Sequence, residues 1–331
     1  MNGHFIISLD FEKHWGVFDK KSVEAYKANL EHVDTIIDRL LELSEKYDVR
    51  LTFAIVGFLF AKDKEELLSH CPDLKPTYSN AKLSPYRLLQ DMGETEKQDP
   101  FHYAASCIKK ISDCGQHEIA THTFCHYYCH EPGQTPQQFE ADLIAAIEIA
   151  KKYNIKTESI VFPRNMIEAE KSIDQPYLEI CHKHGIKSFR GKEKAFIYNI
   201  HTTKPYHSWY LFKLLRLLDC YINITGNNIY ALSKSKSDKL LNLPSSRLLR
   251  AYSSKLKLLE PLKIRRITKG MTKAAKTGKL YHLWWHPHNF GKNIDENFIN
   301  LEKIFEAYKN LNQAYGFKSE TMSSLTKSLN N

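Results

Sequence analysis

His117-Glu118-Ile119-Ala120-Thr121-His122-Thr123-Phe124-Cys125-His126 is the stretch on which the reading of this chain turns. His117 to Thr121 reads as a short strand, and His122 and His126 follow at its end. Their spacing of four places both imidazoles on one face if the segment turns helically. With a carboxylate as third ligand they form a metal site of the two-histidine, one-carboxylate type, with positions left open for water and substrate. A histidine pair by itself is more often an ordinary polar cluster. The accompanying His117 and the Thr121-His122-Thr123 core make this stretch more specific than the pair.

Working outward, strand-like and helix-like runs alternate, which predicts an α/β fold with parallel strands. Strands are expected at His4 to Leu9, Arg50 to Phe60, His117 to Thr121, Glu158 to Phe162, Ile186 to Arg190 and Lys279 to Trp285. Apolar residues at Tyr26, Leu30, Val33, Ile37 and Leu40 give Ser22 to Asp48 the period of an amphipathic helix. A helix from about Gln137 to Tyr153 starts with Thr135 as N-cap, Pro136 at its first position and Gln138 closing a capping box. Further helices near Pro176 to His184 and Asn297 to Tyr315 are stopped by Gly185 and Gly316. The polar, Pro- and Gly-bearing region at about 61–103 reads as an insertion over one rim. The barrel is expected to span 1–316, followed by a polar tail at 317–331 whose end from Ser323 to Asn331 is expected to fray.

Asp10, His122, His126 and His286 all fall at or just past the ends of strand candidates. In parallel barrels reactive groups collect at that rim, because the loops there surround one mouth. Ser8-Leu9-Asp10-Phe11-Glu12 offers two carboxylates one residue apart, which point the same way if the strand stays extended. Tyr281 to Phe290 delivers His286 directly before Pro287, which restricts its backbone. Imidazole titrates near neutrality, so a histidine held there suits proton donation to a leaving amine. His282 and His288 read as structural support.

The 331 residues are 42% hydrophobic and 26% charged, which suits one barrel rather than several domains. Cys71, Cys107, Cys114, Cys125, Cys129, Cys181 and Cys220 are odd in number and irregular in spacing, unlike a disulfide framework. Cys125 and Cys129 lack a second pair at zinc-finger spacing. Phe5-Ile6-Ile7 reads as a strand from the outset, with no signal segment and no span for a bilayer, so a cytoplasmic location is expected. From Leu232 to Leu280 fourteen Lys or Arg face only Asp238 and Glu260, a balance of +12 within a chain of +9. Such a run is usually a solvated helix face. Its interspersed Leu and Ile also suit peripheral contact with anionic lipid at the inner membrane face. No nucleic-acid reading motif accompanies it.

In this order, the pieces resemble the polysaccharide deacetylases of carbohydrate esterase family 4, the NodB-homology family. The resemblance runs from about Phe5 to Phe290 and rests on Ser8 to Glu12, Thr52-Phe53-Ala54-Ile55-Val56-Gly57, His117 to His126, Val161-Phe162-Pro163-Arg164-Asn165 and Leu283 to Pro287. It implies an irregular seven-stranded (β/α) barrel of the polysaccharide-deacetylase type with insertions. It also implies Asp10 as catalytic base, Glu12, His122 and His126 as metal ligands, and His286 as general acid. Arg164 would orient Asp10, with Arg190 in Ser188-Phe189-Arg190-Gly191 as the rival. Glu12 stands where the family usually has Asp, so Asp10 and Glu12 can exchange duties.

The expected activity is metal-dependent removal of an N-acetyl group from an amino sugar of a surface polysaccharide or its lipid-linked precursor. Zinc fits the donors best, and cobalt, nickel and iron suit the same set. The alternatives are an amidohydrolase of the same barrel acting on a small non-sugar amide, and a catalytically idle glycan-binding barrel. Trp209, Tyr210, Trp284, Trp285 and Phe290 are either sugar-stacking aromatics or core.

Overall fold

The structure, a computed structural model, describes residues 2–198, 206–232 and 239–330, with side chains except at 206–210 and 330. Among these residues nine short strands form one sheet: β1 (His4–Phe11), β2 (Leu51–Ile55), β3 (Glu118–Thr121), β4 (Ser159–Ile160), β5 (Ser188–Phe189), β6 (Leu241–Asn242), β7 (Arg247–Leu248), β8 (Leu280–Trp285) and β9 (Lys318–Glu320). Their order is β6-β5-β4-β3-β2-β1-β8-β7, with β9 beside the start of β1, and every pairing between them is parallel.

Eight strands rather than the expected seven therefore lie on this path, and Pro244 is the reason. The run from Leu241 to Leu249 leaves β5 and joins β8: Leu243 N–H donates to Phe189 O, Ser245 N–H to Gly191 O, and Leu249 N–H to Trp284 O. It acts as one stave closing the barrel. Pro244 has no N–H to give a ladder, and the stave splits into β6 and β7 around it.

Among the described residues ten helices surround the sheet: α1 (Val23–Leu30), α2 (Val33–Tyr47), α3 (Lys64–His70), α4 (Ala105–Asp113), α5 (Pro136–Lys152), α6 (Gln175–Lys183), α7 (Tyr206–Asp219), α8 (Glu260–Thr277), α9 (Ile294–Tyr315) and α10 (Met322–Asn330). The capping box of α5 forms as its sequence predicts. The single helix expected over Ser22 to Asp48 breaks at Glu31–His32 into α1 and α2. The break lets Tyr26 of α1 reach Asn289 while α2 lays Ile36, Ile37 and Leu40 on the barrel.

The period of two in the strands sorts the core into two layers. On β1, Phe5, Ile7, Leu9 and Phe11 face the helices within the main cluster, whereas Ile6 faces the barrel interior with Ala54, Ala120, Val161, Leu243 and Leu280. Continuing inward along the same face come Ser8, Asp10 and, just past the strand, Glu12. On β8 the inward face runs Leu280, His282, Trp284 and then His286. The interior thus grades from apolar at its base to polar at the mouth, with Ser8, Asp10, Glu12 and His282 all buried.

The tail corrects an expectation. Residues 323–330 do not fray: after β9 pairs with β1, α10 closes the base of the barrel by sending Met322 and Leu325 into the interior cluster. Met322 N–H donates to Thr52 Oγ1 (3.0 Å) and Ser323 N–H to Glu118 Oε2 (2.9 Å), so the helix start answers a buried carboxyl. The tail's few apolar residues are spaced for one helix face, and a closed barrel supplies what they cover.

The insertion at 61–103 carries α3 and single helical turns, and it is tied to the barrel by Lys13. That residue is buried, with Nζ donating to Pro100 O and Tyr103 O, each at 2.9 Å, and to Asp34 Oδ1 at 3.2 Å. The clasp fixes the residue that follows Glu12.

Candidate metal centre

Glu12, His122 and His126 meet at the mouth. Glu12 Oε1 lies 2.9 Å from His122 Nε2 and 3.2 Å from His126 Nε2. All three side chains are buried. His122 Nδ1–H donates to Val161 O at 2.7 Å, so its Nε2 carries the lone pair toward Glu12. His126 Nδ1 contacts Tyr128 Oη at 3.2 Å, and the Arg164 guanidinium lies over the Tyr128 ring. Burial lowers the His126 imidazole and favours its neutral, ligating form.

The expected helical turn between the two histidines does not form. Thr123 and His126 instead adopt left-handed φ values of 65° and 59°. A compact turn brings the rings to 5.0 Å between centroids. Asp142 of α5 holds it, accepting Phe124 N–H on Oδ2 (2.7 Å) and Cys125 N–H on Oδ1 (3.0 Å), while Thr123 Oγ1 accepts Tyr127 N–H (2.7 Å). Gly57 lets the turn approach the end of β2: a Cβ there would sit 2.8 Å from Phe124 Cα. Burial pushes the Asp142 carboxyl up to about 6. Asp142→Ala orphans two buried N–H groups, and at ~1–3 kcal/mol apiece the variant is expected to lose roughly 2–6 kcal/mol in denaturant unfolding. A loss within experimental error would show that the turn is held without Asp142.

Asp10 is engaged differently. Arg190, buried at the end of β5, forks onto it with Nη1 2.6 Å from Oδ1 and Nη2 2.8 Å from Oδ2. Burial alone would raise the Asp10 carboxyl; Arg190 and the nearby imidazoles outweigh it and hold it below the ordinary value. Arg190 Nη1 also donates to Ser8 Oγ (3.0 Å), and Ser8 Oγ lies 2.8 Å from His282 Nε2. Since His282 Nδ1–H donates to Leu243 O (3.0 Å), Ser8 is the donor to Nε2. The chain from β8 through β1 to β5 fixes the fork, and the Trp284 ring covers the guanidinium at 4.3 Å.

Arg164 does not orient Asp10. It and Asn165 sit at left-handed φ values of 63° and 52° in a turn after β4, which aims the guanidinium at Glu131 and at Asp19, 3.6 Å away. Arg190 occupies the position that Arg164 was expected to fill.

His286 Nε2 lies 3.7 Å from Asp10 Oδ2 and 3.6 Å from Glu12 Oε1. Tyr26 Oη donates to Asn289 Oδ1 (3.1 Å), which turns the Asn289 amide N–H₂ toward His286 Nδ1 at 3.3 Å. Asn289 thus braces the ring with its Nε2 facing both carboxylates. Nothing in the sequence pointed to Tyr26 or Asn289, since one lies on an amphipathic helix and the other in a polar loop. Trp285 and Phe290 are core residues, stacked at 5.7 Å, whereas Trp284 borders the site. The Trp209 and Tyr210 side chains lie outside the described residues. A cleft of about 540 Å³ opens beside Tyr128, bounded by Phe162, Arg164 and Met166.

The donor set fits a divalent cation. Two ligand atoms at 2.0–2.1 Å from a tetrahedral ion stand about 3.3–3.4 Å apart. The carboxylate and imidazole atoms here already converge to nearly that spacing. Two neutral imidazole lone pairs directed at a carboxylate oxygen repel one another unless a positive charge lies among them. Asp10, Glu12 and His286 form a second close group, but both Asp10 oxygens are committed to Arg190. The geometry divides the pair: Glu12 belongs with the imidazoles and Asp10 with the guanidinium.

No protein-family model matches this sequence, and no curated protein matches it. Solved structures match the fold. A structure assigned as a polysaccharide deacetylase from Mycobacterium smegmatis aligns over 100% of this chain and 91% of its own, with TM-score 0.59 and 13% identity. One assigned likewise from Pseudomonas aeruginosa PAO1 covers 98% of this chain and 89% of its own, at 0.54 and 10%. A GH57-type branching enzyme from Pyrococcus horikoshii covers 99% and 70%, at 0.55 and 15%. At such identities the likeness speaks to the fold alone. The chain has the (β/α) barrel of the polysaccharide-deacetylase type.

Proposed function

We propose that this protein is a metal-dependent hydrolase that removes an N-acetyl group from an amino sugar of a surface polysaccharide or its lipid-linked precursor. The observation that carries the reading is the convergence of Glu12 Oε1 with His122 Nε2 and His126 Nε2, beside an Asp10 paired with Arg190 and the Nε2 of His286. Glu12, His122 and His126 would hold the ion, with zinc best suited and cobalt, nickel or iron(II) acceptable to the same donors. When bound, the ion supplies Lewis acidity, polarising an acyl oxygen and lowering the pKa of a water.

Asp10 is placed to accept a proton from the attacking water, a role worth ~10²–10⁴-fold for a positioned base. Arg190 keeps it ionised and aimed. His286, as the imidazolium, donates its Nε2 proton to the departing nitrogen and returns to neutral imidazole, which matters because an amide anion is a very poor leaving group. The water oxygen bonds to the acyl carbon, the C–N bond breaks, and acetate and a free amine result. Trp284 and Tyr128 flank the mouth with aromatic surface suited to a sugar face. The cytoplasm is the proposed site of the reaction, and the exposed free thiol of Cys114 suits a reducing compartment.

Acetate release from N-acetylated glycans, run beside ureides and cyclic imides, tests the reading. Release from the glycans is the expected outcome. Turnover of the small amides alone would assign the barrel to that chemistry instead. No turnover of either by the metal-loaded protein would leave a binding barrel.

A further inference from the structure

We propose that the Ser254–Leu259 turn and the outer face of α8 form a docking surface for an anionic lipid bilayer. The inference stands apart from the catalytic reading. Leu258 is 85% exposed, Leu262 43% and Leu259 37%, an apolar tip at the start of α8. Lys255 and Lys257 flank this tip and are exposed. Leu262, Arg265, Lys269 and Lys273 then follow at spacings of three, four and four, which sets them on one side of the helix, and all four are exposed.

The acidic groups packed against this part of the chain face inward and are already used. Glu260 pairs with the buried Lys263, and Asp219 pairs with the buried Arg247 and Arg266. Among the described residues no ion pair reaches Lys255, Lys257, Arg265, Lys269 or Lys273, so the outer face is cationic without local compensation.

Leucines at the tip with cations behind them are the pattern of an interfacial membrane contact: apolar side chains enter the acyl boundary while Lys and Arg reach anionic headgroups. Nucleic acid would satisfy the cations and leave three leucines in water. Protein interfaces are depleted in Lys and anchored by aromatic residues, and this face has the reverse composition. The placement also matters. α8 ends where β8 begins, so its first turn lies at the rim that carries His286. A docked protein therefore turns that rim toward the bilayer; on the catalytic reading above, a lipid-linked glycan would meet the site there.

Flotation of the full chain with phosphatidylcholine vesicles, with and without phosphatidylglycerol, tests the proposal. The bound fraction is expected to rise with phosphatidylglycerol and to fall in high salt, as the screening length shrinks from ~10 Å at 0.1 M to ~3 Å at 1 M. Arg265→Gln with Lys269→Gln should weaken partitioning on the order of 20-fold, at about fivefold for each cation. Leu258→Glu with Leu262→Glu should reduce it at least as much. All four positions are exposed, and an unchanged circular dichroism spectrum verifies the fold of each variant.

Partitioning indifferent to phosphatidylglycerol, or unchanged in both variants, overturns the proposal. So does retention of duplex DNA that the charge variant loses and the leucine variant keeps, which would assign the face to nucleic acid. A dimer dissolved by the leucine variant, without vesicle binding by the wild type, would assign it to a second copy of this chain.

Discussion

Arg190→Met is expected to reduce turnover by about three orders of magnitude, whereas Arg164→Met stays within about tenfold of the wild type. Breaking a buried ion pair by removing one partner typically costs ~3–5 kcal/mol, because the other charge is left in a poor solvent. At 1.36 kcal/mol per tenfold, that range corresponds to roughly 10²–10⁴ in rate if it falls on the reacting state. In Arg190→Met both Asp10 oxygens lose their donors, and the nearby imidazoles are too weak a counterweight to burial to hold the carboxyl down. Asp10 then holds its proton and can no longer accept one. Arg164 touches Glu131 and Asp19 instead, so its loss disturbs the edge of the cleft and leaves the fork intact. Steady-state turnover with thermal unfolding of both variants checks this. An Arg164→Met defect equal to that of Arg190→Met would transfer the role back to Arg164.

The second large effect separates the two carboxylates. Asp10→Asn is expected to retain bound metal and lose on the order of 10³-fold in turnover, within the span usual for a positioned general base. Glu12→Gln is expected to lose both. Altering a group that merely supports a ligand already costs ~10–100-fold in metal affinity, and neutralising the ligand costs more. Metal content measured beside turnover distinguishes the variants. Metal loss in Asp10→Asn with retention in Glu12→Gln would exchange their assignments, an exchange that the spacing of Asp10 and Glu12 in the sequence permits.

Much of this was legible before any coordinates, for a definite reason. Period two on β1 puts Ile6, Ser8 and Asp10 on one face, and the alternation of hydrophobic and polar residues there is visible in the sequence. Strand ends at Asp10, His122 and His286 follow from the same kind of pattern, and parallel strands bring such ends to one rim. What escaped depends on backbone conformations that the residue types do not announce. Thr123 and His126 take left-handed φ without a glycine or asparagine to signal it, so a compact turn looked like a helix. Arg164 occupies the family-like position in sequence, but two successive left-handed residues turn it away. Arg190 was available as the rival because it too follows a strand. Tyr26 and Asn289 act through a contact between segments far apart in the chain, and neither segment has an unusual composition. The α10 closure was missed because a polar tail reveals its few buried positions only when the barrel base is there to receive them.

Elemental analysis of the purified protein for divalent metal, comparing wild type with a His122→Ala, His126→Ala double variant, tests the metal centre itself. About one ion per chain is expected in the wild type and none in the folded variant. Absence of metal from the wild type, even after equilibration with zinc, cobalt and nickel, would contradict the assignment, and so would equal metal in both proteins.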